Sequence, residues 1–123
     1  MPKTVTFVGT YAIPRDRLGE WSTAIVDMVD TVKANVPRIV SFRVYINEDS
    51  TEATSIYVHP DTESLEQHLE VAGTRISAGV QMVETIRVEL YGRPSDRVVE
   101  QIRRISEASN GFPVTVKRHF YGA

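Results

Sequence analysis

Between Arg15 and Val36 the apolar residues Leu18, Trp21, Ile25, Met28, Val29, Val32 and Val36 recur at steps of three and four, the spacing of one helix face. Asp27, Asp30 and Lys33 fall away from that stripe, as solvent-facing positions should. Pro37 disfavours helical backbone in the residue before it, so the helix is expected to stop near Asn35 or Val36. A helix with one apolar stripe has to lay it on another element, and the sequence on either side is patterned in twos, as strands are.

Residues 3–12 are dense in Thr, Val and Phe and alternate as a strand. Residues 38–47 place Val40, Phe42, Val44 and Ile46 on one face and Ser41, Arg43 and Tyr45 on the other. Asn47-Glu48-Asp49-Ser50 is a polar turn, and residues 52–59, carrying Ile56 and Val58, complete an antiparallel hairpin. Pro60-Asp61-Thr62 opens a second helix with Asp61 as N-cap and Leu65, His68, Leu69 and Ala72 as its inward face. Gly73 is a candidate end for it, with Ile76 and Val80 marking a further loose turn or two. Residues 83–91 then alternate Ile86, Val88 and Leu90 against Thr85, Arg87, Glu89 and Tyr91.

Strand, helix, strand, strand, helix, strand is the βαββαβ order of a ferredoxin-like α+β fold, an antiparallel sheet with two helices on one face. Gly92-Arg93-Pro94-Ser95 breaks the pattern. Asp96 to Ala108 resumes with Val98, Ile102 and Ile105 at helical spacing, Asn110-Gly111 closes that helix, and Pro113 to Tyr121 reads as an edge strand. Residues 1–123 are therefore expected to form one domain, a core over 3–91 and a helix–strand extension over 92–123. The helix-free sheet face is read as carrying Tyr45, Tyr57, Tyr91, Arg43 and Arg87. It is either a solvated face or, as we expect, the surface on which two copies pair as a homodimer.

Composition narrows the partners. With 41% hydrophobic and 24% charged residues in 123, the chain has the balance of a folded protein with a single core. A net charge of −2 supplies no basic field, so nucleic acid is not expected. The absence of cysteine removes disulfides, zinc ribbons, iron–sulfur clusters and thiol nucleophiles. Met1 to Val5 run into the first strand without a basic region or cleavage site, and no apolar run nears the roughly 20 residues of a membrane helix. A cytoplasmic protein without membrane association is the expectation. Phosphate-binding glycine loops and nucleophile elbows do not occur.

His68 is the most informative residue. Its spacing with Leu65, Leu69 and Ala72 aims an imidazole at the sheet, where it is either a core histidine bonded to backbone or an acid, base or ligand donor. His59 ends a strand just before Pro60, and His119 lies on the last strand. No His-x-His or His-x₃-His spacing joins the three, and alternation sets His59 opposite Ile56 and Val58, so no metal centre is expected. Asp61, Glu63, Glu66 and Glu70 read as a solvated helix flank. Trp21, Phe7 and Phe42 are either plain core or the apolar wall of a ligand cavity on which His68 converges, with Tyr57 and His59 as further ligand-facing candidates.

The order of elements and the segment Ser55-Ile56-Tyr57-Val58-His59-Pro60-Asp61-Thr62-Glu63-Ser64-Leu65-Glu66-Gln67-His68-Leu69 resemble the antibiotic biosynthesis monooxygenase-like, dimeric α+β barrel proteins over residues 3–91. In that family a strand leads to a helix with an acidic start, a hydrophobic residue and a histidine, as Asp61, Leu65 and His68 stand here. Members often carry tryptophan near the end of that strand, where this chain has Tyr57-Val58-His59. Haem-degrading relatives use an asparagine on the first strand, where only Thr, Val, Phe and Gly occur here, so haem degradation is not expected. The resemblance implies a cofactor-independent oxygenase acting on a phenol, quinol or polyketide-like aromatic, with His68 as base or hydrogen-bond donor and Tyr57 and Trp21 orienting the ring. The alternative is a non-catalytic small-molecule-binding or regulatory dimer, and an isomerase or lyase would use the same base.

Overall fold

The computed structural model describes residues 3–122; Met1 and Pro2, on which part of the expectation of no leader rests, and Ala123 lie outside the described residues. The elements are β1 (Val5–Ala12), a 3-10 turn (Arg15–Arg17), α1 (Leu18–Asn35), β2 (Ser41–Ile46), β3 (Glu52–His59), α2 (Thr62–Gly79), β4 (Glu84–Tyr91), α3 (Asp96–Glu107) and β5 (Val114–Lys117). The strands form one sheet in the order β2-β3-β1-β4-β5. Its first four strands pair antiparallel, which is the ferredoxin-like arrangement. β5 takes the sheet edge, as expected of the last strand, and runs parallel to β4. The two are joined by a helix, and a helical crossover brings the chain back in its starting direction.

α1 ends where Pro37 requires: the Val36 amide still donates to the Val32 carbonyl at 2.8 Å, and the helix goes no further. In α2 the Asp61 side chain caps the first turn by accepting from the Ser64 amide at 3.0 Å. Gly73 does not end α2, which continues to Gly79. A glycine inside a helix costs about 1 kcal/mol relative to alanine, and here Ile76, packed against two clusters of the core, holds the later turns in place.

The expected strand faces need two corrections. On β3 it is Ala53, Ser55, Tyr57 and His59 that lie buried beneath the helices, while Ile56 and Val58 face the uncovered side. Tyr57 therefore leaves the pairing surface and joins the core. Its cross-strand neighbours decide this: Phe7 on β1 and Phe42 on β2 both register against it, and in a strand flanked by two others, apolar on both faces, alternation alone does not say which face is in. On β4, Val88 and Leu90 are buried as expected, but Thr85 is buried and Ile86 exposed. The register slips between Thr10 and Tyr11, so the bulge turns Ile86 outward and Thr85 inward.

The extension packs on its own sheet. Val98, Ile102 and Phe112 join Val5, Phe7, Leu65 and Leu90 in the main core, so the added helix α3 packs on the same face as α1 and α2. Ser95 fastens α3 to the start of α2: its hydroxyl donates to Glu66 at 2.7 Å and accepts from the Val98 amide at 3.2 Å, and its amide donates to the Thr62 hydroxyl at 2.8 Å. Glu66 is thus a tether rather than part of a solvated flank. Gly92, at φ +109°, makes the turn out of β4, where a Cβ would stand 2.4 Å from the Thr4 carbonyl oxygen. β5 is shorter than the stretch from Pro113 to Tyr121 suggested, and Phe120 and Tyr121 stand free of the sheet.

The uncovered face has Thr6 and Val8 of β1 and Thr54, Ile56 and Val58 of β3 at its centre, with Arg43 and Tyr45 on one flank and Arg87, Glu89 and Tyr91 on the other. Among the described residues no helix is long and apolar enough to cross a membrane.

Candidate functional site

Where α2 begins, its first turns lie over the end of β3, and alternation along β3 delivers Ser55, Tyr57 and His59 to the same side. His59 and His68 are both fully buried, and they touch: His59 Nε2 lies 3.0 Å from His68 Nδ1. His59 Nδ1 lies 2.7 Å from the Ser64 hydroxyl, which makes a continuous row Ser64–His59–His68. The far nitrogen of the row, His68 Nε2, is buried without a partner among the described residues. Burial holds both imidazoles uncharged at neutral pH, His59 with a pKa lowered to about 4 and His68 to about 3; the neighbouring His59 lowers His68 further, and the Asp61 carboxylate partly offsets the effect on His59. Asp61 is itself occupied by the Arg38 guanidinium, whose hydrogen bond holds the carboxyl below the usual carboxylate range, and by the Ser64 amide.

Three rings pack around His68, and a fourth stacks behind them. Tyr57 stacks on it at 4.2 Å between centroids and Phe42 lies at 5.3 Å. Phe7 stacks on Tyr57 at 4.3 Å with planes 7° apart, while Phe42 meets Tyr57 at 4.5 Å and 60°. His59 closes the group, edge-on to His68 at 5.1 Å.

The other end of the same interior is built differently. Tyr11, the last inward side chain of β1, folds back across Gly9, where a Cβ would stand 2.2 Å from the Tyr11 hydroxyl and 2.7 Å from its ring. Gly9 is therefore the space that Tyr11 uses. The Tyr11 hydroxyl reaches Ser55 and Tyr57, and burial raises the pKa of both phenols, Tyr57 the more. Two cavities flank this pair. One, of about 40 Å³, touches Phe7, Thr85, Ile102 and Phe112; the other, of about 60 Å³, touches Trp21, Met28, Ser55 and Gly79. The Thr85 hydroxyl, buried beside the first, has no partner among the described residues. Outside, a groove of about 490 Å³ runs between α2 and α3, and Leu69, Ile76, Val80 and Ile105 line both it and the smaller cavity. These four side chains form the partition between solvent and interior.

Of the six candidates read from the sequence, the fold brings His68, His59, Tyr57, Phe42 and Phe7 into one contacting group. Trp21 stands apart from it, buried in a cluster with Ile13 and Ala53 and lining the larger inner cavity with Tyr11 and Tyr57. His119 is exposed and bonds the Gly122 carbonyl, so the three histidines do not converge. Among the described residues no three metal-ligating side chains come together. Sequence reasoning missed Tyr11, Ser64 and Thr85. Tyr11 was within reach, since it shares the alternation of Val5 and Phe7 and a glycine precedes it by two; Thr85 was hidden by the bulge.

No family model matches the chain, and no curated protein matches it. Solved structures do. MupZ from Pseudomonas fluorescens superimposes with a TM-score of 0.72 at 14% identity, over 98% of this chain and 94% of MupZ. SnoaB, a cofactor-independent oxygenase from Streptomyces nogalater, matches at 0.63 and 17% over 76% of this chain and 95% of its own, and a candidate antibiotic biosynthesis monooxygenase from Caulobacter crescentus at 0.65 and 14% over 72% and 88%. The chain has the ferredoxin-like α+β fold of these antibiotic biosynthesis monooxygenase-like structures. MupZ matches nearly the whole chain, whereas the other two leave about a quarter of it without a counterpart.

Proposed function

We propose that the chain is a cofactor-independent oxygenase that takes a small electron-rich aromatic, a phenol, quinol or polyketide-like ring, between its sheet and its helices. The observation that carries this reading is an interior of aromatic and aliphatic side chains, between the sheet and the helices, that holds two buried polar atoms without partners among the described residues, His68 Nε2 under the start of α2 and Thr85 Oγ1 beside the smaller cavity. Apolar walls with a few placed polar atoms are what a small-molecule site requires, and the description of SnoaB as a cofactor-independent oxygenase supports the reaction type. The substrate supplies the electrons: a ring CH₂ flanked by aromatic carbons and activated by a carbonyl loses a proton to water, the resulting anion reduces dioxygen, one oxygen atom stays as a new carbonyl and the other leaves as water, with two hydrogens equivalent to those lost from the CH₂. His68 meets the substrate oxygen on which charge develops, Tyr57 and Trp21 orient the ring, Phe7 and Phe42 wall it and His59 supports His68. The substrate enters from the groove by displacing Ile76 and Val80. Oxygen uptake with anthrone in metal-free, flavin-free buffer tests this, with His68→Ala expected to slow it about 100-fold. Turnover that His68→Ala leaves unchanged, or no turnover across a panel of hydroquinones and anthrones, removes the reading.

One observation favours a second reading, a dimer that binds a small apolar ligand without transforming it. The inner cavities have room for water and not for a ring, and neither touches His68. Native mass spectrometry that recovers an unaltered ligand after aerobic incubation decides for it; an oxidised product decides against it.

In either reading a second copy covers the uncovered face, whose centre of Val8, Ile56 and Val58 ringed by charge suits sheet-on-sheet pairing. Val8→Glu is expected to yield monomers in sedimentation, and a wild-type chain that sediments as a monomer at micromolar concentration removes the dimer.

A further inference from the structure

The row Ser64–His59–His68 has three labile hydrogens to place: one hydroxyl hydrogen and one N–H on each neutral imidazole. The Ser64 hydroxyl is buried, and its partner among the described residues is His59 Nδ1 at 2.7 Å. Ser22 and Thr23 in α1 return their hydroxyls to the carbonyl four residues back; Ser64, in the first turn of α2, makes no such return. If Ser64 donates to His59 Nδ1, the proton of His59 sits on Nε2 and donates to His68 Nδ1, which leaves His68 protonated on Nε2. One hydrogen is then unmatched. In the reverse setting, His68 Nδ1–H donates to His59 Nε2 and His59 Nδ1–H to Ser64. That strands both the hydroxyl hydrogen and the lone pair of His68 Nε2. Buried polar groups are overwhelmingly paired, so the setting with the single orphan is the favoured one.

We propose that His68 presents Nε2 as an N–H donor, a setting fixed from two residues away by Ser64 acting through His59, and that the site accordingly takes a ligand bearing an acceptor oxygen of carbonyl or quinone type on an apolar ring. This rests on the oxygenase reading for the location of the ligand, and not for the positions of the protons. A donor at Nε2 cannot take a proton from the substrate there; it stabilises an oxygen on which negative charge develops. Ser64 and His59 are positioning residues for it. Tyr57 and Phe42 pack against His68, and a ligand ring reaches Nε2 by moving one of them aside.

Long-range ¹H–¹⁵N correlation spectra of the full chain at neutral pH report which nitrogen of each ring is protonated. Nε2–H is expected for both His59 and His68, with a mixed pattern in Ser64→Ala and the wild-type pattern restored in Ser64→Thr. A wild-type His68 protonated on Nδ1 overturns the proposal without any variant. The ligand class is probed with 1,4-naphthoquinone, which a chain without cysteine does not capture as a thiol adduct, against naphthalene. The quinone is expected to bind about tenfold more tightly, the worth of one hydrogen bond, and His68→Phe to abolish that preference. Equal affinities with Nε2–H in place overturn the acceptor-oxygen assignment and leave the functional reading standing. Failure of both probes to bind overturns the assignment together with the reading on which it rests.

Discussion

The underside of α2 has two ends, and they are built to opposite rules. At its start, rings touch at centroid distances of 4.2 to 5.3 Å, both nitrogens of His59 are engaged and neither inner cavity touches a histidine. Toward its finish, cavities lie on both sides of Tyr11 and Tyr57, the Thr85 hydroxyl has no partner, and the boundary with solvent is a row of aliphatic side chains. Fixing a polar group demands supporting contacts from all sides, while admitting a ligand demands side chains that can give way. The histidine end meets the first demand, the cavities leave room at the tyrosine end for the second under the proposed function, and Tyr57 belongs to both.

Acid tests the histidine end most severely. Both imidazoles have folded-state pKa values, about 4 and about 3, below the ordinary value of 6.5, so below pH 6.5 the unfolded chain binds protons that the folded chain refuses. Their contribution is therefore whole above pH 6.5 and is lost as pH falls toward 4 and then 3. The carboxyls of Asp61 and Glu89 are also lowered, Asp61 first by the Arg38 hydrogen bond and Glu89 first by that of Tyr91, but their stabilisation is lost only below the ordinary carboxylate range. Between pH 6.5 and 4.5 the histidines act almost alone, and unfolding free energies from urea titrations there should fall by several kcal/mol, a large part of an ordinary domain's stability. A flat profile over that interval would mean that the pair is solvated and the histidine end is not closed.

Tyr57→Ala comes next, because it removes the ring that the two ends share. The loss of its stacking on Phe7 and His68, with the cavity left behind, should cost about 3–5 kcal/mol in equilibrium unfolding. It should also open His68 to solvent, visible as faster exchange at its ring N–H. A cost below about 1 kcal/mol would show that the two ends are independent and that Tyr57 does not join them.

The sequence carried much of this architecture and of the site, and lost the rest at identifiable places. The end of α1 was legible to within a residue because one stripe and one proline define it. The order of the first six elements followed, and with it the inward aim of His68 toward the side of the sheet that carries Phe7 and Phe42. What failed was the facing of β3, where Ile56 and Val58 are as apolar as the residues that turned inward, so that only pairing with Phe7 and Phe42 decides. The Thr85–Ile86 inversion depends on a bulge whose signal is a register shift against another strand. The contact between Ser64 and His59 requires α2 to start directly over the end of β3, a matter of tertiary geometry with no sequence period. The direction of β5 likewise follows from where α3 packs and not from the pattern of its own residues.

The smallest effects separate the two ends most sharply, because one change, deletion of a buried hydroxyl, should have opposite signs in them. Ser64→Ala leaves His59 Nδ1 buried without a partner and should destabilise the fold by about 1–3 kcal/mol. Thr85→Val replaces a hydroxyl that bonds nothing with a methyl group of nearly the same size, facing Phe7 and Val88 beside the smaller cavity. It removes a desolvation cost and should stabilise by about 1 kcal/mol or leave stability unchanged. Paired urea titrations at about pH 7.5, where both histidines are neutral in either state, measure the two on one scale. If Thr85→Val instead destabilises as much as Ser64→Ala, then its hydroxyl is held by an ordered water in the cavity, and the tyrosine end is as firmly bonded as the histidine end.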